Sequence, residues 1–172
     1  MSTPLPEAWL RGPIAGISPL LAPCAYAFIA AREDAAAAVD GLTDEALWAQ
    51  PGGAASVGFH LFHLAGATDR LMTYAKGIAL DDAQKAAAKR ERTIADERPA
   101  AGELLRLVDA AMDAALAQLA ATPESTLADA RPIGRAQLPA TVMGAIVHAA
   151  EHAARHAGQI VTTAKIVRAG AR

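Results

Sequence analysis

Apolar side chains recur every three or four residues along two segments of the chain, the spacing that places them on one face of an α-helix. After Ser56 the apolar positions are Val57, Leu61, Leu64, Leu71 and Met72. After Pro99 they are Leu104, Leu105, Val108, Ala111, Met112, Ala115 and Leu119. Both segments are therefore predicted to be amphipathic helices that each bury one face.

Turn-forming residues divide the chain into four long predicted helices, which run from Pro19 to Val39, from Ser56 to Lys76, from Pro99 to Ala121 and from Thr141 to Arg168. A short helical turn is expected after Thr43. The segment from Asp81 to Arg98 is charged and rich in alanine, and we expect a solvated connector with room for a short helix but no chemistry. We expect residues 124–139 to form a loop. Four amphipathic helices with two long connections predict an all-α protein, a four-helix bundle in a single domain of residues 1–172.

The composition agrees with a helical protein and excludes several classes of fold and function. Hydrophobic residues make up 53% of the 172 residues, much of that share alanine, and only 4% are aromatic, so a β-sandwich or barrel is not expected. The net charge is −2 and no basic run is present, so nucleic acid is not an expected partner. The single cysteine, Cys24, excludes an internal disulfide and a multi-cysteine metal site and fits a reducing cytoplasm.

One stretch near the N-terminus is apolar enough to be considered as a membrane-spanning helix. Residues 12–31 lack any charged side chain, and 20 residues are nominally sufficient to span a bilayer. Pro13, Pro19 and Pro23 interrupt this stretch, and many of its other residues are alanine. The segment before it contains Glu7 as well as Arg11, so it lacks the positive region of a signal peptide. We therefore expect a first helix of a cytoplasmic protein and no membrane association.

All five histidines fall on two predicted helices: His60 and His63 on the second, and His148, His152 and His156 on the fourth. A helical residue advances by about 100°, so the three on the fourth helix form one stripe. Two imidazoles four residues apart, with a third from another helix, can bind one metal ion and leave positions open for water or substrate. The alternative is that each histidine is a polar residue at a helix interface, and the pattern leaves both interpretations open.

Two further questions remain open at this point: which histidine of the second helix is buried, and what role Glu151 has. Relative to the apolar stripe of the second helix, His60 lies roughly 60° and His63 roughly 120° from the centre, so periodicity alone favours His60 as the buried histidine. Glu151 and Arg155 are four residues apart, which is typical of a surface ion pair. Alternatively, Glu151 orients a metal ligand or acts as a general base.

The histidine-bearing segments resemble those of the DinB-like (damage-inducible) superfamily. The resemblance rests on the run from His148 to Ile160, HAAEHAARHAGQI, and on SVGFHLFHL from Ser56 to Leu64. It implies a four-helix bundle that holds a divalent metal ion, zinc or nickel, at His63, His152 and His156. His60 and His148 then become pocket residues beside the metal ligands. Many relatives have a further histidine where this chain has Arg155, a difference that alters the charge of the pocket.

The resemblance also implies a range of functions. Members are described as metal-dependent hydrolases, and relatives include thiol-dependent S-transferases and a mycothiol-dependent isomerase. We expect hydrolysis of a small amide or ester by a metal-bound water. The alternatives are S-transfer or isomerisation with a low-molecular-weight thiol at the same site, and a non-catalytic metal-binding bundle of a stress response. Dimers are common in the superfamily, so a homodimer is expected.

Overall fold

The computed structural model describes residues 5–170, which contain seven α-helices and no β-strand. Four of the helices are long: α1 (Ala22–Val39), α3 (Val57–Ala75), α6 (Ala101–Ala121) and α7 (Val142–Gly170). Three are short: α2 (Asp44–Trp48), α4 (Asp82–Arg90) and α5 (Ile94–Glu97). Turns of 3₁₀ helix lie at Ala8–Leu10, Pro51–Gly53 and Glu124–Thr126. The all-α prediction is confirmed.

Side-chain caps fix the first turns of three helices where the sequence predicts them. The Ser56 hydroxyl accepts a hydrogen bond from the Phe59 amide at 3.1 Å and begins α3. Thr141 accepts from the Gly144 amide at 3.0 Å at the start of α7. Thr43 accepts from the Ala46 amide at 3.2 Å and begins α2. Each cap satisfies a backbone donor that the first turn of a helix leaves without a partner.

Two helices begin later than their prolines suggest. Helix α1 starts at Ala22 rather than Pro19, because residues 19–21 form a turn in which the Leu21 and Ala22 amides both bond to the Ser18 carbonyl. Helix α6 starts at Ala101, because Ala100 is extended. The Pro99 carbonyl accepts a hydrogen bond from the indole Nε1–H of Trp48 at 3.2 Å.

The four long helices bury one continuous core. Helix α7 packs against α1 and α3, and α6 packs against the same two helices from the other side. Each helix contributes fully buried side chains, among them Phe28, Leu61, Leu64, Leu104, Met112, Leu119, Ile146 and Ile160. Cys24 is 6% exposed in this core, and burial raises the pKa of its thiol, which fits a packing role.

Helices α3 and α6 run in the same direction, which dictates the course of the chain between them. Their C-terminal ends lie side by side, where the side-chain amide of Gln118 donates a hydrogen bond to the Met72 carbonyl at 2.8 Å. Residues 76–100 must therefore return along α3 before α6 can begin. At the start of α4, Gln84 bonds to Asp69 and Thr73 in the second half of α3. By Glu91 the connector has reached the level of His63.

The long uncharged stretch of residues 12–31 does not form one continuous helix, because α1 includes only its second half. Beyond it, α1 continues through Arg32, Glu33 and Asp34. Among residues 5–170, no helix combines the length and the hydropathy needed to cross a membrane.

Candidate metal centre

Three histidines from two helices converge at the interface of α3 and α7. Each of His63, His152 and His156 offers one ring nitrogen, and these three atoms all lie within 4.8 Å of one another. The His156 ring centroid is 4.5 Å from that of His63 and 4.5 Å from that of His152. The four-residue spacing on α7 places two rings one turn apart, and the neighbouring α3 supplies the third. One ion can be reached by all three side chains.

The surroundings of the two α7 histidines, His152 and His156, favour the uncharged imidazole, the form that binds a metal. Burial, and then the charge of neighbouring His63, lowers the pKa of His152 to about 4. The same two causes lower the pKa of His156 to about 3. The Nδ1 atom of His152 is buried and has no hydrogen-bond partner among residues 5–170. An orphaned ring nitrogen beside two other imidazoles fits a metal site better than a set of interface histidines that are each satisfied by hydrogen bonds.

Glu91 contacts the cluster from the connector between α4 and α5. One carboxylate oxygen, Oε2, lies 2.9 Å from Nδ1 of His63, and the other, Oε1, lies 2.7 Å from Nη2 of Arg70. The side chains of Glu91 and Arg70 are each 14% exposed. Burial alone would raise the pKa of Glu91, but the hydrogen bonds from His63 and Arg70 together outweigh it and lower this pKa. Glu91 is thus an ionised acceptor beside His63.

Sequence reasoning missed Glu91. It assigned no chemistry to the segment from Asp81 to Arg98, and the contact with His63 corrects that assignment. Two signals in α3 are consistent with a close partner from elsewhere in the chain: Gly66 in the interior of the helix, and Arg70 one turn beyond it. Neither signal identifies the partner, because Glu91 lies 28 residues from His63 along the chain.

His60 lies beside the cluster but is not one of its three members. It is 7% exposed, and its Nδ1 atom is 3.1 Å from Nδ1 of His156, so one of these nitrogens donates to the other. Burial, and then the charge of His63, lowers the pKa of His60. Phe59 stacks on His63 with ring centroids 5.7 Å apart and planes 8° from parallel. His60 and Phe59 thus pack against the two flanks of the site.

His148 and Glu151 lie on the solvent side of α7. Their side chains are 51% and 57% exposed, with Nδ1 of His148 3.3 Å from Oε2 of Glu151. Glu151 also accepts a hydrogen bond from Arg155, and this contact is the main cause of the lowered pKa of Glu151. The His148 ring centroid is 5.9 Å from that of His152. The contacts of Glu151 are those of a surface ion pair, which favours that interpretation over a role in orienting a ligand.

The His63 side chain is 21% exposed, so the cluster is not sealed from solvent.

The model of a family described as the DinB superfamily matches residues 27–160. The matched region begins in α1, ends in α7 and includes all three histidines of the cluster. No curated protein matches the chain.

Proposed function

The chain belongs to the DinB superfamily, and we propose that it is a metal-dependent hydrolase of a small amide or ester. The metal would be a divalent ion, zinc or nickel, held by His63, His152 and His156. One observation supports this above all: three ring nitrogens within 4.8 Å, one from α3 and two from α7. The buried, unpartnered Nδ1 of His152 is a second indication that the cluster is built for a ligand.

The composition of the cluster favours catalysis over a purely structural metal. Structural zinc sites usually close the coordination sphere with four protein ligands, whereas catalytic sites use three and keep a position free. Imidazole nitrogens suit zinc, nickel, copper and iron. When bound, such an ion lowers the pKa of water and polarises a substrate carbonyl.

The residues around the cluster have separate parts in this proposal. Phe59 covers one face of His63 and restricts the rotation of its ring. His60 packs beside His156 and excludes water from the α3 side. Arg155 lies on the exposed side of α7, where its charge contributes to the lowered pKa values of His152 and His156.

Hydrolysis is tested with tag-free protein loaded with zinc or nickel and a panel of small p-nitrophenyl esters and p-nitroanilides. We expect turnover by the wild type that is lost after chelation and lost in a His156→Ala variant. His148→Ala is the matched control, because it removes an exposed histidine from the same helix and should retain turnover. Equal hydrolysis by the wild type and His156→Ala would contradict the proposal.

The thiol-dependent alternative uses the same metal ligands. It can be distinguished from hydrolysis with the same purified protein. The wild type is incubated with a small electrophile, with and without a low-molecular-weight thiol. Thiol consumption that depends on His156, in the absence of any ester or amide hydrolysis, would replace the hydrolase proposal with S-transfer. Loss of folding on chelation without turnover in either assay would instead indicate a non-catalytic metal-binding bundle.

We also propose that the protein acts in the cytoplasm as a homodimer, as its superfamily resemblance implies. A chain of 17.7 kDa should then give twice that mass by light scattering. A mass near 17.7 kDa would contradict the dimer and leave the metal site unaffected, because all three histidines belong to one chain.

A further inference from the structure

A chain of three side chains leads from the interior of α3 to the candidate ligand His63. Arg70 donates to Oε1 of Glu91 at 2.7 Å, and Oε2 of Glu91 lies 2.9 Å from Nδ1 of His63. All three are largely buried, with side-chain exposures of 14%, 14% and 21%. Water therefore competes weakly for these hydrogen bonds.

This arrangement determines which nitrogen of His63 carries a hydrogen. A carboxylate only accepts hydrogen bonds, so the His63 nitrogen that faces Glu91 must be the donor. With the hydrogen on Nδ1, the lone pair of the neutral ring is on Nε2. Nε2 is then the only ring nitrogen of His63 that can bind an ion.

We infer that Glu91 is a positioning residue that holds His63 in the Nδ1–H tautomer and so presents Nε2 to the metal. The inference rests on the proposed metal site and goes beyond it, because it assigns the affinity of that site in part to a residue of the connector. Hydrogen-bonded partners of metal ligands typically change metal affinity by 10–100-fold when they are removed.

Helix α3 makes room for this contact at Gly66. A Cβ atom at this position would lie 2.9 Å from Nη1 of Arg70 and 3.3 Å from Oε1 of Glu91. Glycine inside a helix costs about 1 kcal/mol relative to alanine, so its presence here needs a local reason. The close passage of Arg70 and Glu91 over the backbone supplies one. The glycine lets the carboxylate reach His63 while Arg70 holds it from the other side.

The substitution Glu91→Gln tests the inference because it keeps the shape of the side chain but changes its hydrogen-bonding pattern. An amide has one accepting oxygen and one donating nitrogen. Arg70 can only donate, so the oxygen must face Arg70 and the amide nitrogen must face Nδ1 of His63. His63 then has to accept at Nδ1 and carry its hydrogen on Nε2. The variant is expected to reverse the tautomer.

The tautomer is measured in metal-free protein by ¹⁵N NMR of the imidazole nitrogens, and zinc affinity is measured by competition with a chromophoric chelator. We expect His63 to be Nδ1–H in the wild type and Nε2–H in Glu91→Gln, with zinc affinity reduced 10–100-fold. Glu97→Gln is the matched control, because Glu97 pairs with Arg90 on the same connector and should leave both measurements unchanged.

The outcomes separate this inference from the proposed function. The same tautomer and the same zinc affinity in the wild type and Glu91→Gln would overturn the inference and leave the metal site standing. A wild type that binds neither zinc nor nickel would overturn the proposed function and, with it, the role of Glu91 toward a metal.

Discussion

Arg70 lies across the backbone of Gly66, so close that a Cβ atom on Gly66 would come within 2.9 Å of the Arg70 guanidinium. The obstructing atom is the end of a flexible side chain, so Gly66→Ala should fold and displace Arg70 and Glu91 rather than unfold α3. Alanine raises helix propensity by about 1 kcal/mol, yet we expect zinc affinity to fall about 10-fold. Chelator competition measures the affinity, and unchanged zinc binding would contradict this account of Gly66.

A second helical glycine should behave differently because its neighbour is rigid. A Cβ atom on Gly58 would lie 2.7 Å from the ring of Trp48, which is buried and tethered to the Pro99 carbonyl. We expect Gly58→Ala to reduce the free energy of unfolding by about 1–3 kcal/mol, the usual cost of overpacking. Chemical denaturation measures it.

Gly158 is the control for both glycine substitutions. It lies in the interior of α7, and a Cβ atom there would meet nothing within 4 Å. Gly158→Ala should therefore raise the free energy of unfolding by up to about 1 kcal/mol. If Gly58→Ala were as stable as Gly158→Ala, Trp48 would not be packed as described.

Zinc should stabilise the folded protein only when the three-histidine cluster is intact. At a free zinc concentration 100 times the Kd, binding adds about 2.7 kcal/mol to the free energy of unfolding. We expect this gain in the wild type and in His148→Ala, and no gain in His156→Ala. Thermal unfolding with and without zinc measures it, and an equal gain in His156→Ala would place the zinc elsewhere.

The metal-free protein should lose stability on mild acidification. The pKa values of His152 and His156 lie at about 4 and about 3 in the folded protein, below the ordinary value of about 6.5. The unfolded chain therefore binds more protons in this range, so the stabilisation is complete above pH 6.5 and decreases as the pH falls toward 4. Because both rings are partly exposed, we expect a loss on the order of 2 kcal/mol between pH 7 and pH 5.

Denaturation with urea at several pH values in the presence of a chelator measures this loss. The double variant His152→Ala/His156→Ala is the control, since it lacks both groups. It should show a much smaller dependence on pH over the same range. The same pH dependence in both proteins would show that other groups are responsible.

The fold could be predicted from the sequence because its signals are local. Ser56, Thr43 and Thr141 cap helices at the points where the sequence predicts a helix to begin, and the apolar positions of α3 and α6 point into the core. The starts of α1 and α6 were predicted two or three residues early, because a proline can precede the first turn as well as occupy it. Pro19 and Pro99 both precede it.

The site could be predicted only in part. Periodicity favoured His60, which is indeed the more buried of the two α3 histidines, and the superfamily resemblance was needed to select His63. A single apolar stripe describes a helix with one neighbour, but α3 packs against α7, α6 and the returning connector. Its buried arc is therefore wide enough to include His63. The position of Glu91 beside His63 depends on the course of residues 76–100, which no local sequence pattern encodes.

Elemental analysis of the purified protein shows whether His63, His152 and His156 bind a metal ion. The wild type and the double variant His152→Ala/His156→Ala are purified without a histidine tag and incubated with zinc and nickel, and excess metal is then removed. We predict close to one divalent ion per chain in the wild type and none in the variant. No metal in either protein, or the same amount in both, would show that these histidines do not bind a metal ion.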